Sequence, residues 1–145
     1  MIYIHIPFCR SFCTYCDFYS EVAAKCRKAE DRERQEALFE AYGKAAGCEI
    51  RHRADEITSD VNTLYIGGGT PSVLPLSAFR TLLDALADVG HGGSYDEFTV
   101  EVNPEDIVEK GEAYVEGLLE MGVNRISMGV QSFDDGILRF MNRRH

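Results

Sequence analysis

Three of the chain's five cysteines fall in "CRSFCTYC", residues 9 to 16, with three residues between Cys9 and Cys13 and two between Cys13 and Cys16. Thiols at that density point to a metal. Three thiolates can hold three irons of a cubane iron–sulfur cluster and leave the fourth iron open to a small ligand. The alternatives are zinc, with His5 as a fourth ligand, or three inert thiols. Zinc sites usually take a second ligand pair far downstream, and no such pair follows here. His5 sits four residues before Cys9 on an apolar strand, where a packed histidine is the commoner occurrence. An odd cysteine count without an export signal disfavours a disulfide framework. Cys26 and Cys48 stand alone and read as ordinary thiols.

Three further stretches carry polar groups that could hold a ligand. "GGGTPS", residues 67 to 72, follows the strand-like "TLYI". Glycines there allow a ligand to approach backbone N–H and C=O groups closely. The spacing is not the dinucleotide pattern, and Pro71 is expected to block immediate helical continuation. Alone, the loop reads equally well as a tight turn. In "TVEVNP", Thr99, Glu101 and Asn103 alternate with Val100 and Val102, so the polar set faces one way and the valines the other. With helices outside, Glu101 points inward, where a carboxylate needs a partner such as a ribose diol. Gln131 offers an uncharged donor and acceptor. Arg143 could grip a carboxylate with its fork, although beside Arg139 and Arg144 it also reads as a surface arginine.

Four units must position these groups, each a short apolar strand, a loop rich in Gly, Pro or Cys, and a helical pattern. The strands are Met1 to Ile6, "NTLYIGGGTP", "EFTVEVNPED" and "NRISMGVQSF". Helices are expected over Ala29 to Ile57 (Leu38, Tyr42, Ala45 and Ala46 on its face, thinned by Gly43 and Gly47), over Pro75 to Val89, over Glu112 to Met121 with Val115, Leu118 and Leu119 inward, and from about Asp134 onward. Strands alternating with helices imply parallel pairing through right-handed crossovers. In such a sheet or barrel every strand-to-helix loop lies on one face, at the carboxyl ends of the strands. The cysteine, glycine, Glu-Val-Asn-Pro and Gly-Val-Gln loops should therefore converge. Four units are too few for an eight-stranded barrel, and "MNRRH" ends the chain inside a helical pattern. A piece of a longer chain is expected.

Composition narrows the partners. The 145 residues are 45% hydrophobic, enough for one ordinary core. A formal net charge of −9 argues against nucleic acid, and the basic residues are interspersed among acids. No apolar run approaches the roughly 20 residues that span a bilayer. The N-terminus lacks a basic n-region and an apolar h-region, which reads as cytoplasmic.

Together these stretches resemble the radical S-adenosylmethionine (SAM) enzymes, through "CRSFCTYC" with Tyr15 before the third cysteine. More narrowly, "YIHIPFC", "GGGTPS", "EVNPE" and "GVQSF" resemble the oxygen-independent coproporphyrinogen III oxidase family, including its HemW-like haem-chaperone branch. The resemblance implies an α/β fold, a partial (β/α)6 TIM-like barrel. Residues 1–145 would supply about its first four βα units, as the N-terminal part of a radical SAM core domain. It implies that Cys9, Cys13 and Cys16 ligate a [4Fe–4S] cluster, with the methionyl amine and carboxylate of SAM on the unique iron. Gly68, Gly69 and Thr70 would bind the methionyl amino group, Glu101 and Gln131 the ribose, and Arg143 the carboxylate. Tyr15 and Tyr3 would lie beside the cofactor.

Two functions are implied: a haem-binding chaperone that delivers haem to acceptor proteins, or an oxidase that decarboxylates coproporphyrinogen III. In either, the cluster and SAM supply a 5′-deoxyadenosyl radical and an unknown donor supplies the electron. A zinc-stabilised binding domain is the third reading. In the oxidases the third cysteine is followed, one residue later, by another cysteine, and an N-terminal extension helps form the substrate site. Here Asp17-Phe18 follows Cys16, and the first barrel strand opens the chain. Both features favour the chaperone branch, whose haem-binding motif lies in a C-terminal region outside these residues. Whether the chain is an enzyme is left open at this point.

Overall fold

The computed structural model describes residues 1–23 and 28–143. Cys26 and Arg144 lie outside the described residues. Strand β1 is Ile2–Ile6, followed by two short strands, β2 (Phe8–Cys9) and β3 (Glu21–Val22), and helix α1 (Ala29–His52). Then come β4 (Thr63–Gly68), α2 (Leu76–Asp88), β5 (Glu97–Val102), α3 (Pro104–Lys110), α4 (Glu112–Glu120), β6 (Arg125–Met128) and α5 (Asp135–Phe140). The main sheet is ordered β1-β4-β5-β6, every pair parallel. This is the expected succession of βα units.

Strand alternation gives the sheet two unlike faces. Ile4, Ile6, Leu64, Ile66, Phe98, Val100 and Val102 are buried on one side and form one core with Phe39, Phe79, Leu82, Leu86 and Leu118 from the helices. On the other side register aligns Tyr3 with Tyr65 and Thr99, and Glu101 with Ser127. The valines pack under the helices and Glu101 faces inward, as alternation requires. Beyond α4, at the sheet's β6 side, Leu119, Ile126 and Met128 remain exposed.

Several elements depart from expectation for local reasons. The buried stripe of α1 is Phe39, Gly43 and Gly47, while Leu38 is exposed. The glycines do not thin the stripe; they are the contact with α2, where a Cβ on Gly47 would come 3.3 Å from Ala85 and one on Gly43 3.6 Å from Thr81. Leu119 is likewise exposed, and Tyr114, Gly117 and Leu118 form the buried face of α4. Pro71 opens a 3₁₀ turn, Pro71–Val73, instead of stopping helical structure. This follows because the first turn needs no N–H from its first residue. Helix α3 was not expected; Pro104 at its start and Asn103, whose side chain accepts from Glu105 N–H at 3.0 Å, begin it.

Candidate functional site

The cysteine loop is closed at its base. Strands β2 and β3 pair in parallel, and Pro7 and Cys9 carbonyls accept from Glu21 and Ala23 N–H at 2.6 and 2.8 Å. Its far side is tied to the end of α5, where Thr14 N–H donates to Met141 O at 3.2 Å and the Asn142 amide to Phe12 O at 2.6 Å. Asn142 has φ +56, the left-handed turn that often ends a helix. That turn brings Arg143 back toward the loop, with Nη1 3.7 Å from Cys13 Sγ and Nη2 2.5 Å from Gly129 O.

The glycine loop lies against the same thiols. Gly69 and Thr70 N–H donate to the Ile6 and Phe8 carbonyls, each at 2.7 Å. A Cβ on Gly69 would stand 2.7 Å from Phe8 O and 3.0 Å from Cys9 Sγ, so only glycine fits. Gly68 has φ +113, and a side chain there would also strike the His5 ring at 2.6 Å. The Thr70 hydroxyl lies 3.5 Å from Cys9 Sγ.

Glu101 is held on both oxygens. Tyr65 donates to Oε1 at 2.6 Å, and Gly68 N–H to Oε2 at 3.1 Å. Each oxygen keeps a lone pair for a ligand hydroxyl. Burial and the hydrogen bond to this carboxylate raise the Tyr65 pKa, and burial, then Glu101, raises that of Tyr3. Gln131, after β6, adopts φ +65, an uncommon conformation for a non-glycine residue that holds it at the rim.

A cavity of about 260 Å³ joins these groups. It is lined by Cys9, Cys13, Cys16, Tyr15, Gly68, Gly69, Thr70, Glu101, Gln131 and Arg143. The four loops do converge. Tyr3 is not on the lining; its ring lies 5.9 Å from that of Tyr65, and its hydroxyl 3.1 Å from His5 Nδ1. His5 Nε2 lies 2.9 Å from the Tyr19 carbonyl. A carbonyl only accepts, so Nε2 carries the proton and Nδ1 accepts from Tyr3. Both ring nitrogens are thus engaged, which is the packed-histidine reading.

Three thiolates are a donor set for a cubane cluster, which places each thiolate on a different iron. Three thiols in the lining of one cavity, a glycine cut back to admit Cys9, and a guanidinium beside Cys13 fit such a group and its anionic ligands.

Sequence reasoning missed four residues. Tyr65 alternates with apolar neighbours on β4 and read as part of the strand. Asp106, Ser72 and Arg10 join the loops from behind: Arg10 Nε is 2.5 Å from the wholly buried Asp106, whose other oxygen accepts from Ser72 at 2.6 Å. Nearby, Lys110 Nζ donates to the Ser72 and Leu74 carbonyls at 2.5 and 2.7 Å. Burial lowers its pKa to about 8, against the opposing pull of Asp106. No described helix is long and apolar enough to cross a membrane.

The chain is similar to known proteins. The haem chaperone HemW of Bacillus subtilis is 38% identical over 146 residues, which cover 99% of this chain and 35% of that protein. The oxygen-independent coproporphyrinogen III oxidase of Bradyrhizobium diazoefficiens is 32% identical over 144 residues, covering 98% of the chain and 29% of that protein. The solved structure of the coproporphyrinogen III oxidase HemN from Escherichia coli, a radical SAM enzyme, superposes with a TM-score of 0.78 at 33% identity, over 99% of this chain and 30% of that one. The chain thus spans about a third of the length of its curated relatives, and its four parallel βα units match part of the HemN barrel fold. Residues 3–145 match the description "Radical SAM superfamily", and membership of that family implies a [4Fe–4S] cluster and SAM. The chain belongs to the radical SAM superfamily.

Proposed function

We propose that residues 1–145 are the N-terminal part of the core domain of a radical SAM protein of haem or porphyrin metabolism, a HemW-like chaperone that binds haem and passes it to acceptor proteins. The observation that carries the radical SAM part of the reading is the single cavity lined by three thiols, the glycine loop, Glu101, Gln131 and Arg143. Cys9, Cys13 and Cys16 hold the cluster. Gly68, Gly69 and Thr70 present backbone and hydroxyl groups to the methionyl ammonium, and Arg143 balances its carboxylate. Glu101, oriented by Tyr65, and Gln131 take the ribose hydroxyls. Tyr15 covers the cofactor; Tyr3 acts at one remove, through Tyr65 and His5.

The chaperone is preferred to the oxidase on one position. Phe18, exposed on the cavity wall, stands where the resemblance gives the oxidases a further cysteine. An apolar ring there offers a flat face to a macrocycle and no thiol. The test is anaerobic reconstitution of the full chain with iron and sulfide, then titration with SAM and with haem, and assay with coproporphyrinogen III and a reductant. Stoichiometric haem binding without decarboxylation supports the chaperone. Decarboxylation above the no-protein background would establish the oxidase instead. Stoichiometric zinc with no uptake of iron would remove both.

A further inference from the structure

We infer that Arg10 is a positioning residue, clamping the thiol loop to the sheet through the buried carboxylate of Asp106. The inference rests on reading Cys9, Cys13 and Cys16 as cluster ligands. Arg10 lies between the first two of these thiols and turns away from them, behind the cavity wall. Its Nε stands 2.5 Å from Asp106 Oδ1, and its Nη1 2.5 Å from Glu109 Oε2. These two acids are three residues apart on α3; Arg10 Nη1 donates to Glu109, and the approach of Nε to Asp106 Oδ1 is an ion pair made without a hydrogen bond.

Asp106 is the meeting point of the ligand-bearing segments. It is completely buried, as is Ser72, whose hydroxyl donates to Oδ2 at 2.6 Å. The Ser72 oxygen in turn accepts from Asn103 N–H at 2.9 Å. One carboxylate therefore joins the thiol loop through Arg10, the glycine loop through Ser72, and the end of the Glu101 strand through Asn103. A buried anion is tolerated only with its cation in place. With Arg10 withdrawn, the cost of the unpaired carboxylate falls on the three segments that must keep common register. The loop's other tethers are its pairing with β3, the Thr70 N–H bond to Phe8 O and the contact with the end of α5.

The clamp is testable without any cofactor. In the iron-free, reduced full chain, Cys9 and Cys13 are half-buried while Cys48 on α1 is exposed. Arg10→Met should raise the alkylation rates of Cys9 and Cys13 under native conditions by roughly fivefold or more, as local opening of the loop exposes them, and leave Cys48 at the parent rate. Asp106→Asn keeps an acceptor for Ser72 but removes the anion, and should produce the same pattern. Because the two residues act as one unit, the double variant should react no faster than the faster single variant. Rates within about twofold of the parent in Arg10→Met, whatever its melting temperature, would overturn the clamp. So would single-variant effects that multiply in the double variant. Iron content of the reconstituted parent protein tests the ligand reading separately, so the two ideas can fail independently.

Discussion

Replacing Gly69 by alanine tests how closely the glycine and thiol loops must approach. The added Cβ would stand 2.7 Å from Phe8 O, 3.0 Å from Cys9 Sγ and 3.0 Å from Ile6 O. Two of those neighbours are backbone carbonyls already engaged by Thr70 and Gly69 N–H at 2.7 Å, so neither can retreat without breaking a hydrogen bond. Overpacking of this kind costs about 1–3 kcal/mol. Gly90→Ala provides the matched control. Its φ is +87 with nothing within 4 Å, so the variant suffers backbone strain of about 1–2 kcal/mol far from the cavity. Urea unfolding should show comparable losses for both variants. Only Gly69→Ala should also lose iron after reconstitution and weaken SAM binding by about tenfold or more, measured by calorimetry, because its strain is relieved by moving Cys9 and Thr70. A Gly69→Ala protein with parental iron content and SAM affinity would refute the argument. Equal losses of iron in Gly90→Ala would do the same.

Other consequences are open to measurement. Alanine at Cys9, Cys13 or Cys16 should abolish the visible absorption of the reconstituted cluster, while Cys48→Ala should not. Glu101→Ala should weaken SAM about tenfold to a hundredfold at unchanged iron content, since a hydrogen bond to a charged group contributes roughly 1.5–3 kcal/mol. Arg143→Ala should weaken SAM similarly but also disturb the cluster spectrum, because its guanidinium stands beside Cys13 Sγ. Tyr65→Phe, which frees Glu101 Oε1, should cost SAM affinity about threefold to tenfold. Lys110 gives a pH signature. Its folded pKa, about 8, lies below the ordinary lysine value of 10.5, so the folded state binds fewer protons between those values and stability should rise with pH across that window. Lys110→Met should flatten the rise, worth at most about 3 kcal/mol, in denaturant titrations at pH 7.5 to 10.5.

Much of the site was legible because each of its loops announces itself. Cysteine spacing, three successive glycines after a strand, and a glutamate between valines are all local patterns, and parallel topology alone sends them to one face. What was not legible depends on contacts across the sequence. The inward face of α1 was read only in part: Tyr42 and Ala46 pack on the core, Leu38 and Ala45 are exposed, and Gly43 and Gly47, which let α2 approach, leave no mark in the periodicity of hydrophobic residues. Arg10 and Asp106 looked like two of many interspersed charges, being ninety-six positions apart, and only the folded chain shows one buried against the other. Tyr3 was assigned to the cofactor's side by resemblance, yet stands off the cavity wall with its hydroxyl on His5. It shares a sheet face with Glu101, but at Tyr65's level, further from the carboxyl ends.

The two faces of the sheet divide the work of the sequence. Barrel interiors are ordinarily filled by layers of branched aliphatic side chains. Here the inward positions are Tyr3 and His5 on β1, Tyr65 on β4, Thr99 and Glu101 on β5, and Arg125 and Ser127 on β6, linked in part by hydrogen bonds such as Tyr65 to Glu101 and Arg125 to Thr99. The branched and aromatic residues have gone to the outward positions, where Ile66, Phe98 and Val100 lie fully under the helices. Burial beneath the helices therefore supplies the cohesion, since a fully buried large apolar side chain contributes about 1.5–3 kcal/mol. The inward face is released to carry polar groups at the cavity floor. A shift of one residue in β5 would exchange its two sets, burying Glu101 under a helix and exposing its valines. The same alternation that stabilises the sheet thus fixes which carboxylate faces the thiols, and no separate device is needed to aim it.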